Sequence, residues 1–318
     1  MKKAVCRERL IFVFRPRKRY KWDAKVLFVS FEYNITIKPI KTMEHIRETI
    51  KIQKAAWDLD DLEVIPTFEM KAISDVGIVL GAFFGEKIIG MIYGYHHFPD
   101  RHYSHMMAVL PEWQSKGIGY LLKRTHRELA LNSPHNVNYI EWTVDPLLPN
   151  NAYLNFAKLG GICRKYYIDY YGDASSFGLY KGLPTDRFLV EWPIRAERVK
   201  RRIKHYKEDR VHVDKLLSKS PPINEIKNDK WKEIKKIGTS LERFTVQVPH
   251  DFHKLRVEQP QIALDWRLKF REVCLETLSN GWIVVDYHSF IKNHSRINFY
   301  EFAREEVLEQ NEIFGIKK

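Results

Sequence analysis

The arrangement of apolar and polar positions is most informative between residues 106 and 129. Met106–Leu110 is a short apolar run that reads as a strand. A polar turn follows, and then Ile118, Leu121, Leu122 and Leu129 recur at helical spacing with Lys123, Arg124, Arg127 and Glu128 between them. Upstream, the same reading predicts a strand over 35–40, a helix over 43–57 and a short helix over 68–73. A hairpin of 76–84 and 87–95 turns around Gly85–Glu86, and a strand over 103–110 follows it. Downstream come a strand over 138–144, a short helix over 150–158 stopped by Gly160–Gly161, and an aromatic-rich strand over 162–171. The predicted order is β-α-α-β-β-β-α-β-α-β.

After Lys181–Gly182–Leu183–Pro184 the pattern changes. A strand is expected over 186–193, a basic helix over 196–217 and a loop over 218–228. A strand over 242–248 precedes a long amphipathic helix over 260–278, which is expected to present Ile262, Trp266, Phe270, Val273 and Leu278 on one side. Strands over 282–287 and 297–302 close the chain. The expected division is a basic N-terminal extension over 1–33, a main domain over 34–184 and a smaller α+β region over 185–318. That last region contains a basic helical linker at about 195–236 and is expected to pack on the main domain.

The turn between the strand and helix is where ligand chemistry is expected. Gly117 and Gly119 stand at the helix start, where backbone N–H groups have no partner within the helix and the helix dipole is positive. A diphosphate suits such a place. A Walker loop would need GxxxxGK with Ser or Thr next, and a dinucleotide fingerprint would need a third glycine; the chain has neither. It does have Q/R-x-x-G-x-G/A, as Gln114, Gly117 and Gly119. Here the chain resembles the GNAT superfamily of acyl-CoA-dependent N-acyltransferases. The phrases Ser104–His105–Met106, Trp142–Thr143–Val144–Asp145–Pro146, Asn151–Ala152 and Lys158–Leu159–Gly160 are similar to a predicted-acetyltransferase branch with an extra C-terminal region. The resemblance runs over roughly residues 35 to 190.

It implies a mixed twisted sheet with helices on both faces, and transfer of an acyl group, acetyl above all, from coenzyme A directly to a primary amine. It also implies where the cofactor would lie: Met107, Ala108 and Val109 along the pantetheine, and Gln114, Ser115, Lys116, Gly117, Ile118, Gly119 and Tyr120 at the diphosphate. Asn150 and Asn155 would bond amides or phosphate. For the base, strand alternation puts Asp145 on the side of Glu141 and Thr143, and His105 titrates near the working range. The position at which the family usually carries its thiolate-protonating tyrosine is Phe156, which has no proton to give; Tyr153 is the nearest replacement on that helix. Two other readings remain: a CoA-binding module with weak or lost catalysis, and a basic nucleic-acid-associated protein on the same scaffold. A homodimer is left open.

Composition narrows this further. Of the net charge of +13, residues 1–25 carry ten Lys/Arg against two acids and residues 195–236 fifteen against seven. The expected catalytic domain is therefore near neutral, and the basic segments read first as solvated faces. Cys6, Cys163 and Cys274 have no paired spacing, which argues against a disulfide framework or zinc site and for a reducing compartment. The early apolar run Leu10–Phe14 is too short for a membrane span, so a cytoplasmic protein without membrane contact is expected. His96, His97, His102 and His105 flank one turn, but alternation sends neighbours to opposite faces; no metal is expected. Arg267 and Arg271, one helical turn apart, could together clamp a carboxylate or phosphate.

Overall fold

In the computed structural model the alternating segments of the N-terminal half become a run of antiparallel strands. The structure describes residues 28–30, 34–172, 182–205, 211–238, 240–292 and 294–315, so nearly all of the expected N-terminal extension lies outside the described residues. These residues divide into one unit ending at Ile140 and another beginning at Glu141.

In the first unit β1 (Phe28–Ser30), β2 (Ile35–Pro39), β3 (Ile78–Phe84), β4 (Lys87–His97) and β5 (Arg101–Val109) lie side by side in chain order. The sheet's faces are set by period-two alternation. Ile35, Ile37, Leu80, Ala82, Ile89 and Ile92 pack under α3 (Ile118–Leu131) through Ile118, Leu121, Leu122 and Leu129. Ile40, Val79, Phe83, Met91 and Tyr93 pack on the other side under α1 (Met43–Trp57) and α2 (Thr67–Val76). Thr42 starts α1 by accepting a hydrogen bond from the His45 N–H, and Asp58, left-handed at φ 56°, ends it. The α/β class with helices on both faces of a sheet is thus realised here.

β6 (Tyr139–Val144) runs across the division. In the second unit, α4 (Pro149–Ala152) passes directly into a π-turn over Tyr153–Lys158. β7 (Ile162–Tyr167) and β8 (Arg187–Pro193) follow, then α5 (Glu197–His205) and α6 (Val213–Lys219). A small hairpin of β9 (Asn224–Lys227) and β10 (Lys230–Glu233) precedes β11 (Arg243–Val248), α7 (Phe252–Glu258), α8 (Pro260–Leu278), β12 (Trp282–Lys292), β13 (Ser295–Arg304) and α9 (Gln310–Phe314). The strands of this unit lie in the order β8-β7-β12-β13-β11, all antiparallel.

That pairing joins strands from both sides of the expected boundary at 184. β7, the last strand of the expected main domain, pairs with β8, which was expected in the C-terminal region, and meets β12 through Val284 opposite Cys163. Two further expectations change. The single basic helix over 196–217 is two helices, with residues 206–210 outside the described set. The buried side of α8 consists of Ala263, Trp266, Arg267, Phe270, Cys274 and Thr277, with Ile262, Val273 and Leu278 half-buried beside it. A pattern search that scores arginine as polar turns the helix by about one position, because it cannot know that Arg267 is paired.

Candidate active site

A 3₁₀ turn, Pro111–Trp113, and five further residues connect β5 to α3. Leu110 N–H bonds Ile89 O at 2.9 Å, which keeps the strand's end on β4. Gln114 then folds back, its Nε2 donating to Val109 O at 3.1 Å. Ser115 is left-handed at φ 61° and Gly117 at φ 80°, ψ 0°. The glycine at 117 answers to that backbone angle, since a β-carbon there would meet open space. Gln114, Ser115, Lys116 and Gly117 are all exposed. Lys116 folds along the loop, donating to Glu112 O, with its ammonium 5.2 Å from the Trp113 ring.

Gly117 is the N-cap of α3 and offers no side chain to cap it, and no acid stands in the first turn. The helix therefore begins with uncapped N–H groups and an uncompensated positive dipole end, at an exposed loop. This is the arrangement expected of an anion cradle. On β5, Ala108 is buried while Met107 and Val109 are half-buried against the core under α3.

Two residues before Met107, His105 stands on the α2 side of the sheet. Its ring lies 5.5 Å from Tyr93, 6.3 Å from Tyr95 and 6.0 Å from Tyr103, centroid to centroid. One edge of the imidazole remains exposed, but the surrounding rings displace enough water to lower its pKa; the Glu69 carboxylate acts in the opposite direction. Glu69 accepts a hydrogen bond from Tyr93 Oη at 3.0 Å. His105 is thus mostly neutral near pH 7 and has a lone pair to offer.

The hairpin's other histidines have a different setting. His96 and His102 face α3, where His102 Nδ1 lies 3.4 Å from Nε2 of the fully buried His126. His135 stacks on His96 at 4.1 Å. Burial lowers the pKa of His102 to about 4 and pushes that of His126 well down. Alternation separated the four histidines as expected, but two others joined from elsewhere in the chain. They do not converge: among the described residues, the one group whose ligand atoms come within 4.8 Å of each other is Asp286, His288 and Glu301. Those carboxylates are already held by arginines, Asp286 by Arg202 and Arg198 and Glu301 by Arg243.

Asp145 and Tyr153 belong to the second unit, as do Asn150 and Asn155. Asp145 receives both terminal nitrogens of Arg267, at 2.9 and 2.6 Å, and the Leu147 N–H at 2.9 Å. Arg187 lies 3.9 Å away. Burial opposes the charge, yet the two guanidiniums prevail and hold the carboxyl below its usual range. With both oxygens engaged and only 4% of the residue exposed, Asp145 has the setting of a structural ion pair and not of a base. The expected clamp of Arg267 and Arg271 resolves likewise: each holds its own carboxylate, Asp145 and Asp186. Neither is left for a shared ligand in this arrangement.

The π-turn sends Phe156 fully inside, against Phe188 and Tyr300. Asn155 is buried beside it, Asn150 is exposed, and Tyr153 is half-buried with the Lys158 ammonium 5.4 Å from its ring. Tyr153 borders a cavity of about 400 Å³ shared with Arg202, Asp286, His288, Phe290 and Arg296. No sequence signal marked that cavity, because its walls come from segments more than a hundred residues apart.

Residues 43–160 match the acetyltransferase (GNAT) family. The matched segment contains the loop, His105 and the three helices α1, α2 and α3 that cover the sheet of the first unit. No curated protein matches the chain significantly. Among solved structures, the chain is similar to Ard1 from Thermoplasma volcanium (14% identity, 49% of this chain and 95% of that one, TM-score 0.39). It is also similar to an IAA acetyltransferase from Bacillus cereus (18%, 49% and 97%, 0.39). A third is a GNAT acetyltransferase from Elizabethkingia anophelis with acetyl-CoA bound (18%, 50% and 98%, 0.40). No helix among the described residues is long and apolar enough to cross a membrane.

Proposed function

We propose that the chain is an acyl-CoA-dependent N-acyltransferase with acetyl-CoA as donor and a primary amine as acceptor. The observation that carries this reading is the start of α3: a left-handed glycine, an exposed loop and uncapped N–H groups, inside the GNAT match. Residues 114–120 would hold the diphosphate, and the backbone of Met107–Val109 would run along the pantetheine. The site's second requirement is a base, for which His105 is suited by being neutral, accessible at one edge and on the same strand.

The chemistry then needs few groups. The acceptor arrives as R–NH₃⁺ and gives one proton to His105. The free amine's lone pair forms the C–N bond at the thioester carbonyl, and the C–S bond breaks with its electron pair leaving on sulfur. A proton returned to that sulfur gives the thiol, and the net products are the amide, free CoA and one proton. A thiolate is a good leaving group near neutrality, so protonation of sulfur by water suffices. Since Asp145 is engaged by Arg267, it has no part in this scheme. The reading as a CoA-binding module without turnover rests on Phe156, whose burial leaves the family's usual acid position without a hydroxyl.

Calorimetry with acetyl-CoA tests the donor site. Gly117→Asp is expected to weaken binding at least tenfold, whereas Gly117→Asn, with the same backbone demand and no charge, is expected to lose about threefold or less. Equal affinity for wild type and the Asp variant in folded protein would exclude the loop as the diphosphate site.

A further inference from the structure

The outer side of the β4–β5 hairpin has a composition that a core does not require. Tyr95 and Tyr103 are paired across the two strands, with centroids 5.8 Å apart and both rings half-exposed. Tyr93, buried beneath them, lies 6.2 Å from Tyr95, and the His105 ring lies within 6.3 Å of all three, centroid to centroid. At the margin stands Glu69, exposed and oriented by the Tyr93 hydroxyl, and beside it Phe68 is 81% exposed. The guanidinium of Arg101, at the hairpin's far end, is turned onto the Tyr139 ring at 4.5 Å.

Aromatic faces carry negative potential and attract cations, more strongly where water is displaced. A neutral imidazole adds no charge, so the carboxylate of Glu69 sets the sign of this surface. The Tyr95, Tyr103 and His105 rings are tilted 32° to 46° to one another and together offer an apolar lining for an aliphatic stem, which an ammonium group alone would not need. The surface also begins close to the proposed chemistry: at the rise of an antiparallel strand, His105 lies about 7 Å along β5 from Met107.

From this juxtaposition we propose that Glu69, Tyr95, Tyr103 and His105 form the acceptor shelf, with the buried Tyr93 orienting Glu69 from beneath, and that it selects an aliphatic ammonium acceptor with a second positive charge. Acceptors carrying a carboxylate are rejected by the like charge of Glu69. This rests on the transferase reading for its role in turnover, but not for its binding. Glu69 is the specificity-determining group, Tyr95 and Tyr103 support the stem, and His105 receives the proton.

The experiment uses three matched probes, 1,5-diaminopentane, pentylamine and 5-aminopentanoate, in two readouts. Calorimetry on the full chain with CoA present measures binding without turnover, and thiol release from acetyl-CoA measures kcat/KM. The shelf predicts the order diamine, monoamine, amino acid in both, with about tenfold or more between the ends. Glu69→Gln is expected to cut that ratio to about threefold or less while acetyl-CoA affinity stays unchanged, and Tyr95→Phe is expected to preserve what Tyr95→Leu loses. Diamine binding that depends on Glu69, without any thiol release, would retain the shelf and overturn the transferase reading. Thiol release with no preference for the diamine, or a preference that survives Glu69→Gln, would overturn the shelf and retain the transferase. Absence of diamine binding in wild type would overturn the shelf whatever the turnover.

Discussion

The two sides of the β4–β5 hairpin carry nearly the same residue types and have opposite fates. On one side His105 keeps an exposed edge among tyrosines, with Glu69 near enough to pull its pKa back up. On the other, His96, His102 and Ser104 face α3, where Lys123 donates to Ser104 Oγ at 3.0 Å and His126 lies against His102. Burial lowers the pKa of Lys123 and of every histidine in that layer for which a shift is resolved. The backbone must come close for this: a β-carbon on Gly94 would stand 2.7 Å from Tyr103 O and 3.2 Å from His126 Cε1. A histidine's chemistry is therefore set by its side of the strand. A lowered pKa marks a usable base only where solvent and substrate can reach it.

Asp145 extends the comparison into the second unit, because it is the other base that sequence suggested. If it is structural, Asp145→Asn should cost about 3–5 kcal/mol of stability, the range for leaving a buried charged partner unmatched. Chemical denaturation measures this, and a variant as stable as wild type with reduced turnover would return Asp145 to the mechanism.

On the exposed side of the hairpin the loss should appear in rate instead. His105→Gln is expected to lower kcat by about 10²–10³, equivalent to about 3–4 kcal/mol, with acetyl-CoA affinity intact. The wild-type rate should rise with pH through a pKa below the ordinary 6.5 of histidine and then level, since the base works unprotonated. The Gln variant should lack that limb.

The enclosed side should respond to pH through stability. His102 binds its proton with a pKa of about 4 when folded and about 6.5 when unfolded. Above 6.5 neither state is protonated and the group contributes nothing to the pH dependence. As pH falls from 6.5 to 4 the unfolded chain gains the proton first, so folded stability drops, by up to about 3 kcal/mol. Denaturation curves at pH 7.5, 5.5 and 4.5 should show this fall, and His102→Phe should flatten it. An unchanged slope in that variant would mean that His102 is not the group responsible.

How much of this the sequence disclosed depends on how local each signal is. The bounds of α1 and α8 match their expected residues because caps, proline and period all lie within the segment. The loop of 114–119 was legible for the same reason. β9 falls within the loop expected over 218–228 and β10 in a stretch given no strand, since Asn224–Lys227 and Lys230–Glu233 are short, polar and without a run of apolar alternation; what fixes them is Asn224 bonding Gln247 and Trp231 packing on Trp266. The aromatic shelf was visible only as scattered tyrosines, because it requires the hairpin register that pairs Tyr95 with Tyr103. His126 was hidden because α3 looks amphipathic, and its buried polar residues are counted as a solvent side. Pairs such as Arg267 with Asp145 join positions 122 residues apart, and no periodicity reports on that distance.

That separation also has a meaning in time. A ribosome adds roughly 5–20 residues per second, so Asp145 emerges about 6–25 seconds before the arginine that neutralises it. Asp186 waits in the same way for Arg271. For that interval the nascent second unit has Arg187 beside Asp145 but lacks the two arginines that grip both carboxylates in the interior, so its final closure belongs to the last quarter of synthesis. A chain ended at the expected boundary of residue 184 would be held permanently in that unfinished state.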